Sequence, residues 1–115
     1  MIQLKCLSWK SDKFMYFFLF FSEVRTVAKA FIALGLEPRK SVGIIGFNSP
    51  EWFFSDLAAI FANSMATGIY STNSPEMCKY MANNSNANII VVEDDSQLQK
   101  ILAVKSELPG KFTGF

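Results

Sequence analysis

Residues 41–54 read SVGIIGFNSPEWFF, and the parsing of this stretch decides the fold. SVGIIGF (41–47) is short, apolar and β-branched, with Gly43 and Gly46 punctuating it, the pattern of a buried strand. Ser49 is placed as a helix N-cap. Pro50 takes the first helical position, where its missing N–H costs little, and Glu51 complements the positive end of the helix dipole. A helix then runs through EWFFSDLAAIFANS. Phe53, Leu57, Ile60, Phe61 and Ser64 share one stripe, and Phe54 and Ala58 widen it, so the spacing predicts burial against a sheet. Trp52 is read as a core residue at the base of that helix.

The same joint recurs downstream. STNSPEMCK (71–79) repeats the cap, proline and acid after a weaker apolar run, GIYS (68–71). That run is read as a second strand. Its helix is expected to turn Met77, Tyr80 and Met81 inward and to fray at NNSN (83–86). NIIVV (88–92) is the clearest strand of the chain. EDDS (93–96) gives a third acidic helix start, followed by a stripe of Leu98, Ile101 and Leu102 and a stop at Pro109-Gly110. Upstream, Val24, Val27, Ala28, Phe31 and Leu34 fall at helical spacing over 22–36. Gly35 stands where a left-handed residue ends a helix, Leu36 folds back toward Phe31, and Pro38 blocks continuation. The order is helix, then strand–helix three times without hairpin turns. It predicts an α/β fold: a partial parallel three-stranded sheet with flanking helices and right-handed crossovers.

Composition narrows the function. The chain has 115 residues, half of them hydrophobic, a formal charge of +1 and no histidine. It lacks a basic stripe, which argues against a nucleic-acid partner. Cys6 and Cys78 have no metal-ligand spacing and fit a reducing compartment better than a disulfide scaffold. Cys78 has no histidine to activate it as a nucleophile. Glu93, Asp94 and Asp95 could hold a divalent cation, but a solvated helix start explains them more simply. Tyr70, Ser71 and Thr72 are read as a turn. Asn83-Asn84-Ser85 forms a glycosylation sequon that matters only in a secreted chain. The NSPE joints lie where open α/β sheets place ligands. Neither G-x-G-x-x-G nor G-x-x-x-x-G-K-[ST] is present, and Glu51 and Glu76 would repel an anion, so capping is the better account. No catalytic, cofactor-binding or metal-ligating residue is assigned.

Residues 1–21 stand apart. Lys5, Lys10 and Lys13 precede FMYFFLFF (14–21), which is similar in outline to a signal peptide. The run is too short to span a bilayer, and Ser22, Glu23 and Val24 offer no small-x-small cleavage site. A buried aromatic or amphipathic segment is the preferred reading. Removing 1–21 is expected to improve solubility.

The segment from Val24 to Leu102 closely resembles the early part of AMP-forming acyl-CoA synthetases, most of all the bubblegum-type long-chain fatty acid–CoA ligases. Three stretches carry the resemblance: ALGL followed by VGIIGFNSPEW, then AAIFANSMATGIYSTNSPE, then NIIVVEDDSQLQKIL. FMYFFLFF does not look like the corresponding stretch of that family. The expected division is therefore a divergent leader (1–21), an α/β fragment of the AMP-binding N-terminal domain (22–108) and a truncated tail (109–115).

The resemblance implies a two-step reaction. A fatty carboxylate attacks the α-phosphate of ATP to form an acyl-adenylate and pyrophosphate, and coenzyme A then displaces AMP. It implies ATP, Mg and CoA as cofactors of the parent enzyme and fatty acid, ATP and CoA as its partners. It also implies a cytoplasmic setting, peripheral to the endoplasmic reticulum membrane. The family's phosphate loop and catalytic lysine have no counterpart here. The chain is thus expected to be a scaffold fragment, inactive alone, holding no cofactor and prone to membrane or chaperone association through its apolar leader. The competing expectation is a free-standing α/β nucleotide-binding or interaction module.

Overall fold

The computed structural model describes residues 13–108, with side chains from Leu19 onward. Helix α1 (Lys13–Ala33) leads to strand β1 (Ser41–Ile45), α2 (Pro50–Phe61), β2 (Met65–Ile69), α3 (Pro75–Asn84), β3 (Ala87–Val92) and α4 (Asp95–Ala103). A 3-10 turn at Lys105–Glu107 follows. The three strands form one parallel sheet in the order β2-β1-β3. Ser41 to Ile45 pair with Met65 to Ile69 on one side, and Val42 to Ile45 with Ile89 to Val92 on the other.

All five residues of β1 are buried, because it is the central strand and helices cover both of its faces. Val42 and Ile44 point to one face, where Val24, Val27 and Phe31 of α1 and Phe54, Ala58 and Ala59 of α2 close the core. Ile45 and Ile69 point to the other, against Cys78 and Ala82 of α3 and Ile101 of α4. The chain steps from β1 outward to β2, then back across β1 to β3. A single crossover hand requires that reversal to put α2 and α3 on opposite faces, as found.

The joints are built from local chemistry. Ser49 and Ser74 cap α2 and α3, each accepting a backbone N–H three residues on, and Asp94 does the same for α4. At the far ends of α1, α2 and α3, left-handed residues turn the chain back toward a strand. Gly35 (φ 101°) donates its N–H to Ile32 O at 3.0 Å and Leu36 donates to Phe31 O at 3.0 Å, the two bonds of a Schellman ending. Asn63 (φ 59°) repeats it after α2, with Asn63 N to Ile60 O at 3.0 Å and Ser64 N to Ala59 O at 2.9 Å. Asn86 (φ 54°) ends α3, bonding Asn83 O at 3.2 Å. The segment 83–86 therefore does not fray: Asn83 and Asn84 are helical, and Asn86 is a stop signal of its own.

Several expectations shift. The second strand begins at Met65 and ends at Ile69, so Gly68 lies inside it and Tyr70 and Ser71 outside. Gly68 sits beneath Trp52, whose ring would be 3.7 Å from a Cβ at that position. In α2 the buried residues are Phe54, Ser55, Ala58 and Ala59, while Phe53, Ile60 and Phe61 are more than half or about half exposed. The small side chains let the helix backbone approach the sheet and α1, and the bulky ones turn outward. In α3 Cys78 and Ala82 are buried and Met77 and Tyr80 are exposed. In α4 Ile101 is buried as expected and Gln97 joins it, while Leu102 turns out. The α4 helix stops at Ala103, ahead of Pro109-Gly110.

Helix α1 passes through residues 21 and 22 without a break. Phe20 packs on Phe54 with ring centroids 5.0 Å apart, and Phe21 meets Phe61 edge-on at 5.7 Å. Removing 1–21 would also strip these rings from α2. Deletion of 1–21 is expected to cost about 1.5–3 kcal/mol through Phe20 alone, on the scale of a buried aromatic side chain. Phe20→Ala in the full chain should show a loss of the same order. Urea titrations of the truncation, the Phe20→Ala variant and the full chain check this, and equal midpoints would show that the rings contribute nothing.

Candidate functional site

The carboxyl ends of the strands form the candidate site, because the reversal of direction between β1 and β3 leaves a crevice there in open α/β sheets. Three strand-to-helix joints meet at this edge. After β1 the chain passes Gly46, exposed Phe47 and Asn48 to Ser49, whose Oγ accepts Trp52 N–H at 3.2 Å. After β3, Glu93 donates its N–H to Ile45 O at 2.9 Å and accepts Phe47 N–H on Oε2 at 3.3 Å. Gly46 lets the two chains approach closely at this crossing. A Cβ there would come within 3.0 Å of the Glu93 Cβ.

After β2, Asn73 N–H donates to Tyr70 O at 3.0 Å, so residues 70–73 form the turn expected of them. Tyr70 is the most exposed of the large apolar side chains described, at 80%. Ser74 Oγ accepts Met77 N–H at 3.4 Å. The turn is tied to α4 by two donors on one carbonyl: Lys100 Nζ reaches Ser71 O at 2.6 Å and Gln97 Nε2 at 3.3 Å. Gln97 Oε1 is buried with no donor. Asp94 Oδ1 accepts Gln97 N–H at 2.9 Å.

The electrostatics follow the same plan. Burial pushes the Cys78 thiol above its ordinary value, and the nearby Lys100 charge pulls it partly back. A buried thiol held protonated is a poor nucleophile. Its Sγ faces Asn73 O at 3.9 Å. Lys79 bridges Glu107 at 2.6 Å and Glu76 at 2.7 Å. Those partners, Glu107 first, raise it to about 12. The sequon asparagine, Asn83, lies within α3 and donates its amide to Glu107 O at 3.3 Å. Cys6 lies outside the described residues.

This edge does not fit the phosphates of ATP or a magnesium ion. At the three helix starts a side-chain oxygen of the chain itself already accepts an end N–H, and Glu51, Glu76 and Asp95 add negative charge in the first turns. The Glu93 carboxylate takes the Phe47 N–H in the same way. Among the described residues no group of three Asp, Glu, Cys or His side chains could hold a metal. Glu93 and Asp94 are instead committed to the crossing and the cap. Ser49→Ala and Ser74→Ala are each expected to cost about 0.5–2 kcal/mol. Thermal unfolding checks this, and unchanged melting of both variants would overturn the capping account.

The fold defines the class: an open parallel α/β unit with helices on both faces. Residues 10–112 match the family described as AMP-binding enzyme, and the chain belongs to that family. It is 58% identical over 90 residues to a long-chain-fatty-acid–CoA ligase, ACSBG2, of Xenopus laevis, covering 78% of this chain and 12% of that one. It is 46% identical over 101 residues to ACSBG1 of Homo sapiens, covering 88% of this chain and 14% of the human protein. The chain thus spans about an eighth of the length of the curated relatives it matches. Among solved structures, an anthranilate CoA ligase, AuaEII, in complex with anthranoyl-AMP superposes with a TM-score of 0.75 at 25% identity, over 81% of this chain and 18% of that one. The N-terminal domain of FACL13 from Mycobacterium tuberculosis gives 0.72 at 14% identity, over 83% and 26%.

Proposed function

We propose that this chain is a scaffold portion of an ATP-dependent long-chain fatty acid–CoA ligase of the bubblegum type and does not itself carry the chemistry. The observation that carries the reading is the 58% identity to such a ligase across most of the chain. The caps at the carboxyl edge support the second half: at each helix start a side-chain oxygen of the chain takes one end N–H, and an acidic residue in the first turn disfavours an anion there. In the parent enzyme the fatty acid, ATP and CoA would bind elsewhere, with this α/β layer as a wall behind the acyl or nucleotide pocket. A cytoplasmic setting belongs to the same proposal.

The test has two arms. The purified chain, given ATP, palmitate and CoA, is expected to release pyrophosphate only at background. Dose-dependent acyl-CoA formation by a contaminant-free sample would overturn inactivity. Residues 24–102, exchanged for the matching stretch of a bubblegum ligase, are expected to leave a soluble chimera active. A folded but inactive chimera would overturn the scaffold reading.

A further inference from the structure

We propose that the open edge of β2 pairs with the same edge of a second copy of this chain. Among the described residues β2 has a strand neighbour on one side only, β1. That pairing sets which amides face outward. Met65 N–H donates to Lys40 O at 3.0 Å, and the register runs unbroken from Met65 to Ile69. In a parallel pair alternate residues bond the same neighbour, so Met65, Thr67 and Ile69 turn their amides toward β1. The amides of Ala66 and Gly68 therefore point away from the sheet. The other edge is less regular: β3 pairs with β1 through a register shift at Ser41/Val42, and its Asn88 side chain is tied to Glu37 at 3.4 Å. β2 carries none of the usual guards against edge pairing. MATGIYS (65–71) has no charge and no proline, and its register has no bulge. Gly68 is exposed and has no side chain to hold a second backbone off.

Self-complementarity selects the second copy as the occupant. A two-fold axis at Thr67 sets two β2 strands antiparallel, with Ala66 opposite Gly68 of the second copy and Gly68 opposite its Ala66. Both pairs fall at bonded positions, and each exchanges two N–H···O bonds, so the outward amides of Ala66 and Gly68 are all satisfied at once. Thr67 then meets its own equivalent, and Met65 lies across from Ile69 of the second copy. Like charges opposite one another would oppose such pairing, and this stretch brings none together. The contact is isologous and closed: two three-stranded sheets become one, with each β2 edge consumed by the other. Two five-residue strands make a small interface, so the association is weak and depends on concentration. The inference concerns the chain by itself and is independent of the ligase reading.

Sedimentation equilibrium of the full chain up to about 0.5 mM, combined with amide hydrogen exchange, tests it. The chain is expected to dimerise, and the Ala66 and Gly68 amides are expected to gain protection as its concentration rises. Ala66→Pro removes an N–H that serves nothing within the chain, as an edge strand tolerates. It deletes two of the four bonds between the copies and should weaken dimerisation by about tenfold or more. Met65→Lys, at a position 55% exposed, places a guarding charge on the edge and should weaken dimerisation as well. Circular dichroism verifies that the variants are folded, and Met65→Lys decides the matter if the proline variant is not. A chain that stays monomeric throughout would overturn the proposal. So would a dimer that leaves the Ala66 and Gly68 amides unprotected, or one that a folded variant does not weaken.

Discussion

Phe31→Ala is expected to lower stability by about 3–5 kcal/mol, the range for removing a buried phenylalanine. Phe31 is 1% exposed and is the largest of the fully buried side chains. It lies in the cluster that joins α1 to Val42 and Ile44 of β1 and to Phe54 and Ala58 of α2. Its carbonyl also accepts Leu36 N–H in the turn that returns the chain to the sheet. The truncation thus opens a cavity where a helix pair, a strand and a helix stop converge. Folded domains have only about 5–15 kcal/mol in hand. Among the described residues the sheet leaves β2 and β3 as open edges, and α2 exposes Phe53, Ile60 and Phe61. The variant should therefore lack a cooperative urea transition at body temperature. Ile32→Ala, one residue on and 56% exposed, should stay within about 0.5 kcal/mol of the parent. Comparable losses from both substitutions would mean that α1 does not dock by the face described.

The sequence carried the joints and the order of elements because both rest on local chemistry. Ser49, Ser74 and Asp94 each bond an N–H three residues away, and Gly35 marks its own stop, so a reader of five consecutive residues can place them. Asparagine was harder. Asn63 and Asn86 take the left-handed stop that glycine takes after α1, but an asparagine in a polar run also fits a fraying end. The inward faces were illegible for a different reason. In α2 nearly every side of the helix from Trp52 to Ala62 carries apolar residues, and periodicity weighted by size selects Phe53, Ile60 and Phe61. Close approach selects the opposite set. At the candidate site, the Glu93–Phe47 bond joins residues 46 apart and the Lys100–Ser71 bond residues 29 apart. Only the register of β1 against its two neighbours brings them together.

Ala58→Leu is the sharpest check on that reversal, and it is expected to destabilise the chain by about 1–3 kcal/mol although it adds hydrophobicity. Ala58 is fully buried between α1 and the sheet, with Ala59 fully buried beside it. A stripe built on the larger residues would place Ala58 at the border of the buried face, where a leucine should be neutral or helpful. In the packed structure the added methyl groups must displace neighbours in the cluster that holds Val42, Ile44 and Phe31, or push α2 off β1. The converse substitutions complete the argument. Phe53→Ser and Ile60→Ser remove half-exposed apolar surface, so they should change stability by no more than about 0.5 kcal/mol. They should also reduce binding of an apolar-surface dye, because contiguous exposed apolar side chains are what such a dye reports. Urea midpoints and dye fluorescence on the three variants measure this directly. A leucine at 58 that raises the midpoint, together with a steep loss at Phe53→Ser, would restore the larger residues to the core and overturn the packing of α2 on its small side chains.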